Sequence, residues 1–221
     1  MQCAALAGCY ASGLMIATLT TIWFLHIAAL LTPGANFLVV SQLAASDRAR
    51  SAGFATLGVG LGTLLWAGGA VFGVQALFKA FPFLQLGLQI SGALYLLWLA
   101  SRLWRTHTPV KVQSVRSLSS AAAFRLGLLT NATNPKSALF YGSIFAAAFP
   151  AQPGSLLLVC AVLMVVCNAL LWHALLAYVF SRPGVRTRYT AQQRWLNRLA
   201  GTLVGGVGLG LLLNALREVR H

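Results

Sequence analysis

The sequence predicts an all-α integral membrane protein with six transmembrane helices arranged as two inverted halves. Three observations predict this class. Hydrophobic residues make up 58% of the chain and charged residues only 8%, long apolar segments alternate with short basic stretches, and two of the apolar segments contain a proline break. An ordinary soluble domain has about 25% charged residues, so this composition excludes that class.

The charge balance also needs an explanation, because 16 basic residues stand against 2 acidic ones. A net charge of +14 could indicate a nucleic-acid partner. The cations cluster between apolar segments, however, which is typical of loops held against anionic lipid. The lipid bilayer is therefore the predicted partner, and nucleic acid is not.

The four cysteines form no C-x-x-C pair and have no histidine at metal-ligand spacing. We therefore expect no disulfide framework, no metal and no cofactor. Whether residues 1–12, which are small or apolar, belong to the mature chain is left open by the sequence.

Six apolar segments are long enough to be membrane helices, since a helix needs about 20 residues to cross a bilayer. They cover about residues 13–45, 51–78, 83–101, 126–149, 155–180 and 199–216. The first is longer than one span requires, which fits a helix that is broken and restarted. Glycines at four-residue spacing predict close helix packing in two of the segments, at Gly58 and Gly62, Gly201 and Gly205, and Gly206 and Gly210.

The first break lies in Thr32-Pro33-Gly34-Ala35-Asn36. Proline removes a backbone donor and glycine adds backbone freedom, so we expect the helix to open at Pro33 and Gly34. Freed backbone groups are tolerated at membrane depth only where protein or a wet cavity satisfies them. With Thr32 and Asn36 beside it, this break is a candidate ligand site, although a simple packing kink is an equally good interpretation of this stretch alone.

A second break interrupts the fourth segment at Asn131-Ala132-Thr133-Asn134-Pro135-Lys136. A lysine ammonium near the bilayer centre costs about 2.5 kcal/mol or more, so Lys136 should face the bundle interior or a wet cavity. Breaks at corresponding places in two halves are typical of transporters. We therefore predict a translocation site that includes Asn131, Asn134, Pro135 and Lys136 together with the first break.

Alternate loops differ in charge. Twelve cations fall in the loops after segments one, three and five, three fall on the other side, and Lys136 lies within a segment. Positive charge marks the cytoplasmic side, so both termini should be outside. Three spans per half then make residues 13–105 and 121–216 an inverted repeat within one transmembrane transporter domain covering 1–221.

Several motifs together resemble the lysine exporter (LysE/RhtB) family of bacterial amino-acid and metabolite exporters. They are Thr32 to Asn36, Arg48 with Gly53, Gly58 and Gly62, Gly92-Ala93-Leu94-Tyr95-Leu96, and Asn131-x-x-Asn134-Pro135-Lys136. The resemblance implies a six-helix inner-membrane secondary transporter, with both proline motifs near the translocation path. It also implies export driven by the proton motive force.

The sequence provides few candidates for proton coupling. Neither of the two acidic residues lies inside a span, so the carrier would be Asp47, His26, His173 or Lys136 itself. The alternative role for His26 and His173 is interhelical hydrogen bonding.

The missing carboxylates also bear on the substrate. Exporting lysine or arginine would place a second cation beside Lys136 with no opposed acid. We therefore expect a neutral zwitterionic amino acid, with a basic amino acid or another small metabolite as the alternative. A second copy of the chain is a further candidate partner.

Two other classes remain open. An intramembrane hydrolase could use Ser143 and His173 as a dyad, although Ser143 lacks the strained turn that exposes a nucleophile. A purely structural membrane protein would explain the glycine spacing but not Lys136.

Overall fold

The computed structural model of the protein describes residues 2–45, 49–80, 84–105, 118–150, 152–182 and 185–218. Within these ranges it contains eight α-helices and no strand, so the predicted all-α class is confirmed for this part of the chain. In chain order the helices are α1 (Gln2–Leu31), α2 (Ala35–Ala45), α3 (Ala49–Ala80), α4 (Leu84–Arg105), α5 (Ser120–Ala132), α6 (Pro135–Ala148), α7 (Ser155–Phe180) and α8 (Val185–Glu218).

Within the described residues, four helices contain stretches that are long and apolar enough to cross a membrane. These are Ser12–Leu31, Ala49–Gly73, Ser155–Phe180 and Asn197–Arg217. Helices α5 and α6 have 13 and 14 residues. At 1.5 Å per residue each is about 20 Å long, which is less than the ~30 Å hydrocarbon core. Only together could these two short helices cross it, and the arrangement of six spans as an inverted repeat stays a prediction.

Helix α8 begins earlier than the sequence predicts. A basic loop is expected up to residue 198, whereas the helix starts at Val185 and runs for 34 residues. The loop prediction is wrong here because arginine and glutamine are good helix formers and no proline follows Pro183. The arginines from Arg186 to Arg198 therefore lie on a helical extension of the last apolar segment.

Helices α3 and α5 cross with their backbones in close approach. A Cβ atom at Gly58 would overlap the carbonyl oxygen of Phe124, and one at Gly127 would overlap that of Ala55. A Cβ at Gly62 would lie 2.8 Å from the Cβ of Asn131. The prediction of close packing at Gly58 and Gly62 is confirmed.

Helices α4 and α8 form a second close pair. A Cβ atom at Gly201 or Gly205 would lie within 3.3 Å of an atom of α4, in agreement with the prediction. Gly206 and Gly210 have no such neighbour within 4 Å, and Gly208 packs against α4 instead. The prediction of close packing is therefore wrong for Gly206 and Gly210 within this chain.

The buried apolar residues form two clusters. One joins α1, α3, α4, α6, α7 and α8 and includes Ile22, Phe145 and Phe149. The other joins α2, α3, α5 and α7 and includes Phe37 and Phe180. The polar residues of the two breaks lie between these clusters, which places the candidate site inside the bundle.

Candidate functional site

The structure places a helix break at each of the two proline motifs. Helix α1 ends at Leu31 and α2 begins at Ala35, while α5 ends at Ala132 and α6 begins at Pro135. Lys136, in the first turn of α6, donates from its Nζ to the carbonyl oxygen of Ala29 in α1 at 3.3 Å. A side chain of the second break therefore reaches the backbone of the first.

The carbonyl that Lys136 contacts is the one freed by Pro33. In a continuous helix the amide of residue 33 would donate to the carbonyl of residue 29, and proline has no amide hydrogen. The Ala29 oxygen instead accepts from Lys136 Nζ and, at 3.3 Å, from the amide of Thr32. Thr32 also donates its hydroxyl to the Ala28 oxygen at 3.2 Å, so the end of α1 is closed by local and interhelical donors.

The second break follows the same rule. Pro135 frees the carbonyl of Asn131, and this oxygen accepts from the indole Nε1 of Trp66 in α3 at 3.0 Å and from the amide of Asn134 at 3.1 Å. Asn134 is the N-cap of α6, and its Oδ1 accepts from the amide of Lys136 at 3.0 Å. In both breaks, a side chain from another helix supplies the donor that the proline lacks.

A cavity of about 60 Å³ lies between the breaks. One water molecule needs about 10–15 Å³ on this measure, so the cavity has room for about four to six waters or the polar end of a small amino acid. Its lining comes from α1, α2, α3, α6, α7 and the residues of the two breaks: His26, Ala29, Leu30, Thr32, Gly34, Asn36, Phe37, Thr63, Asn134, Lys136, Ser137, Phe140, Tyr141 and His173.

The predicted site residues divide into two groups. Thr32, Gly34, Asn36, Asn134 and Lys136 line the cavity together.

Pro33 and Asn131 are not among its lining residues, and the side chain of Pro135 is outside the described part of the structure. Asn131 is buried against α3, where its Nδ2 donates to the Val59 oxygen at 2.7 Å and to the Thr63 hydroxyl at 3.0 Å. Asn131 therefore connects α5 to α3 through hydrogen bonds.

Both predicted histidines reach the cavity. His26 lies 2.9 Å from the hydroxyl of Tyr141 through Nε2, and its other ring nitrogen is buried without a partner. His173 Nδ1 lies 2.7 Å from the Ala169 oxygen. Because a carbonyl can only accept, this nitrogen carries the hydrogen, which leaves Nε2 as the acceptor in the neutral ring. Asp47, the third candidate for proton coupling, lies outside the described residues.

The cavity lining includes a hydrogen-bond acceptor that has no donor. The Oδ1 of Asn36 is buried and has no hydrogen-bond partner. A buried acceptor without a donor is costly, and such a group in a cavity lining is available to a bound solute. Asn36 and Lys136 thus offer an acceptor and a cation at the same site.

Sequence reasoning missed several lining residues. Ser137, Phe140 and Tyr141 follow Lys136 within the first two turns of α6 and share its cavity. Helical spacing from Lys136 could have indicated Phe140 at four residues, and Tyr141 lies four residues after Ser137. Leu30, Phe37 and Thr63 lacked any distinguishing signal, because they resemble residues that pack against other helices.

The hydrolase alternative gains no support from this geometry. Ser143 does not line the cavity that contains His173. Its backbone carbonyl oxygen lies 2.6 Å from the position that a Cβ on Gly92 would take. The turn of α6 around Ser143 is thus packed directly against α4.

The chain matches a known protein family over most of its length. Residues 27–215 match the family described as LysE type translocator, which is most of the chain. The chain belongs to the LysE type translocator family. The match covers both breaks and helices α2 to α7, and in α1 it begins at residue 27, just after His26.

The translocator is similar along most of its length to proteins named for amino-acid efflux. It is 29% identical over 205 residues to the threonine efflux protein of Escherichia coli, covering 90% of this chain and 100% of the relative. It is 30% identical over 207 residues to the threonine efflux protein of Salmonella typhi, with the same coverage.

A leucine efflux protein of Klebsiella pneumoniae is 28% identical over 186 residues, which cover 82% of this chain and 86% of the relative. No solved structure matches the translocator.

Proposed function

We propose that this protein is a secondary transporter that exports neutral zwitterionic amino acids from the cytoplasm across the bacterial inner membrane. Family membership supports translocation as the activity. The names of the relatives, which refer to threonine and leucine efflux, support an uncharged side chain on the substrate.

The observation that supports this proposal most directly is the position of Lys136. Its ammonium lines a cavity between two helix breaks and donates to a neutral carbonyl, that of Ala29. A cation at membrane depth is favoured by a compensating anion. The sequence has only two acidic residues, Asp47 and Glu218, and Glu218 is the last residue of α8. In our proposal the substrate carboxylate supplies this anion.

The other end of the substrate meets acceptors. The unpaired Oδ1 of Asn36 is available to a substrate ammonium. The backbone oxygen of Ala29 becomes available as well when Lys136 leaves it to bind the substrate carboxylate. Leu30, Phe37 and Phe140 provide apolar lining for a small side chain. The cavity thus offers a cation, two acceptors and an apolar wall, which together suit a zwitterion.

A basic amino acid fits this site less well. Its side-chain cation would share a small cavity with Lys136, and none of the described lining residues is acidic. Like charges at short range in a low-dielectric site repel strongly. We therefore propose threonine-like or leucine-like substrates in preference to lysine or arginine.

We further propose that the chain crosses the membrane six times as a 3+3 inverted repeat, with both termini in the periplasm. The distribution of cations supports this orientation. The chain order supports the repeat, because a pair of helices separated by a proline break is followed by two further helices in each half.

An efflux assay tests the function. Cells with and without the protein are fed dipeptides that release threonine, leucine, cysteine, lysine or arginine, and the free amino acid in the medium is measured. We expect faster efflux of one or more neutral amino acids. Selective efflux of lysine or arginine would contradict the neutral-substrate proposal. No change for any amino acid would indicate a substrate outside this class.

A further inference from the structure

A second cavity lies at the other end of the bundle from the cytoplasmic loops of the proposed topology. It has a volume of about 250 Å³ and lies between α1, α4, α6 and α8. Its polar lining residues are Thr18, Gln89 and Asn214. Its apolar lining includes Phe149, at the C-terminal end of α6. We call this space the outer vestibule.

Helix α6 runs from the central cavity to the outer vestibule. Tyr141 lines the first and Phe149 lines the second. Eight residues of helix separate them, which is about 12 Å. Phe145 lies midway at four-residue spacing, so the three aromatic side chains share one face of the helix.

The three rings are buried and neighbour one another along α6, between the residues that line the two cavities. Phe145 is fully buried, and Phe149 is 1% exposed. The Phe145 and Phe149 rings stack with centroids 4.9 Å apart and planes 2° from parallel, and the Tyr141 and Phe145 centroids are 6.3 Å apart. In this structure a solute in the central cavity therefore has aromatic side chains between it and the vestibule.

The vestibule itself has an unsatisfied polar group. The side-chain oxygen of Gln89 is buried and has no hydrogen-bond partner. If Gln89 served only packing, leucine in its place would be neutral or stabilising, because no hydrogen bond to this oxygen would be lost. A solute with a donor group, such as an amino-acid ammonium, would satisfy it.

We propose that Tyr141, Phe145 and Phe149 form the outer gate of the translocation path, and that the vestibule is an exit site where Gln89 binds the departing amino acid. This inference rests on the proposed export function and orientation. Export requires a path from the central cavity to the outside, and the rings of this gate must move for that path to open.

Cysteine labelling tests the gate without any transport measurement. Cys3, Cys9, Cys160 and Cys167 are first replaced by serine, and one reporter is added: Ser137→Cys in the central cavity or Ala148→Cys in the vestibule. Intact cells are treated with a membrane-impermeant maleimide. We expect labelling of the vestibule reporter and slow labelling of the central one.

Removing a gate ring should open access. With Phe145→Ala, the central reporter should be labelled about tenfold faster, because the closed population falls. Phe180→Ala is the matched control, since Phe180 is a buried phenylalanine of the other cluster. Equal rates in the two variants would refute the gate. If Phe145→Ala does not accumulate in the membrane, Phe145→Leu is compared in the same way.

Two further outcomes concern the vestibule. Labelling of the Ala148→Cys reporter only in inverted vesicles would refute its outward position.

In the efflux assay, Gln89→Leu should lower export severalfold at unchanged abundance, whereas Gln192→Leu, on the exposed surface of α8, should not. Unchanged export in Gln89→Leu would refute the exit site. If no amino acid is exported at all, the labelling result still decides the gate.

Discussion

The ammonium nitrogen of Lys136 lies 3.3 Å from the main-chain oxygen of Ala29, the carbonyl that Pro33 leaves without its helical donor. Trp66 does the same for the oxygen of Asn131, which Pro135 leaves free. The two donors differ in kind, since an indole is fixed and neutral whereas an ammonium is mobile and charged. Only at the first break, therefore, could the donor leave its carbonyl oxygen and bind a substrate carboxylate instead.

Replacing Lys136 should strongly reduce export. In Lys136→Met the charge is lost while the side chain remains long and apolar. A hydrogen bond to a charged group is worth about 1.5–3 kcal/mol, so we expect export to fall about tenfold to a hundredfold. Efflux of the preferred amino acid is measured together with the amount of protein in the membrane.

Arg125→Met is the control for this variant, because Arg125 is an exposed cation on α5, outside the cavity lining. It should export normally. If Lys136→Met instead fails to accumulate as folded protein, Lys136 is a structural anchor of the α1 break and the binding role is unsupported.

The two asparagines Asn36 and Asn131 should behave differently. Asn131→Ala removes hydrogen bonds to Val59 and Thr63, so we expect a loss of about 1 kcal/mol in stability, given about 0.6 kcal/mol for an average interhelical bond. Asn36→Ala removes an unpaired acceptor and should instead lower export by about threefold to tenfold. Thermal unfolding in detergent and efflux are measured for both. A larger export defect at unchanged stability in Asn131→Ala would contradict this division.

These asparagines also illustrate what the sequence could predict. Proline has a local effect on helix hydrogen bonding, so both breaks could be located from Pro33 and Pro135 alone. Which side chains then face the cavity depends on the rotation of each helix and on its neighbours. Asn131 faces α3 because Gly62 leaves room there, and nothing in the sequence near Asn131 indicates that contact.

The glycines of α8 show the same limit. Four-residue spacing recurs along this helix at several phases, and only packing against α4 selects Gly208 over Gly206. Likewise the start of α8 could not be located from hydropathy, because a helix rich in arginine can extend beyond the apolar core. Composition was therefore enough to predict the class of protein. Which face of each helix packs against a neighbour could be found only from the three-dimensional structure.

Close packing between α3 and α5 should tolerate no added side chain at Gly127. A Cβ there would overlap the carbonyl oxygen of Ala55, so Gly127→Leu should destabilise the protein by about 1–3 kcal/mol or more. Gly206→Leu is the matched control, because a Cβ at Gly206 would meet nothing within 4 Å. Thermal unfolding of both purified variants in the same detergent checks this. Equal stability would show that the crossing can separate at low cost.

Reporter fusions should place the basic stretches in the cytoplasm. We expect cytoplasmic signals from reporters fused after residues 110 and 190, because most cations fall in these regions. A fusion after residue 152, between α6 and α7, should report the periplasm. A periplasmic signal from either of the first two would overturn both the orientation and the inverted repeat.

The hydrogen bond between His26 and Tyr141 should matter for coupling to protons. His26 Nε2 lies 2.9 Å from the Tyr141 hydroxyl, and His173 and Lys136 line the same cavity as His26. A proton on His26 would place a second positive charge in the same small cavity as the ammonium of Lys136. A proton could therefore weaken or replace the interaction of Lys136 with a substrate.

Tyr141→Phe removes the hydroxyl and keeps the ring. We expect purified protein in liposomes to retain exchange of amino acid across the membrane, which needs no net proton movement, but to lose accumulation driven by a pH gradient. Tyr95→Phe is the control, because Tyr95 is half-buried on α4 and does not line the cavity. An equal fall of exchange and accumulation in Tyr141→Phe would indicate a structural role for the hydroxyl. Unchanged accumulation would exclude it from the coupling of protons to export.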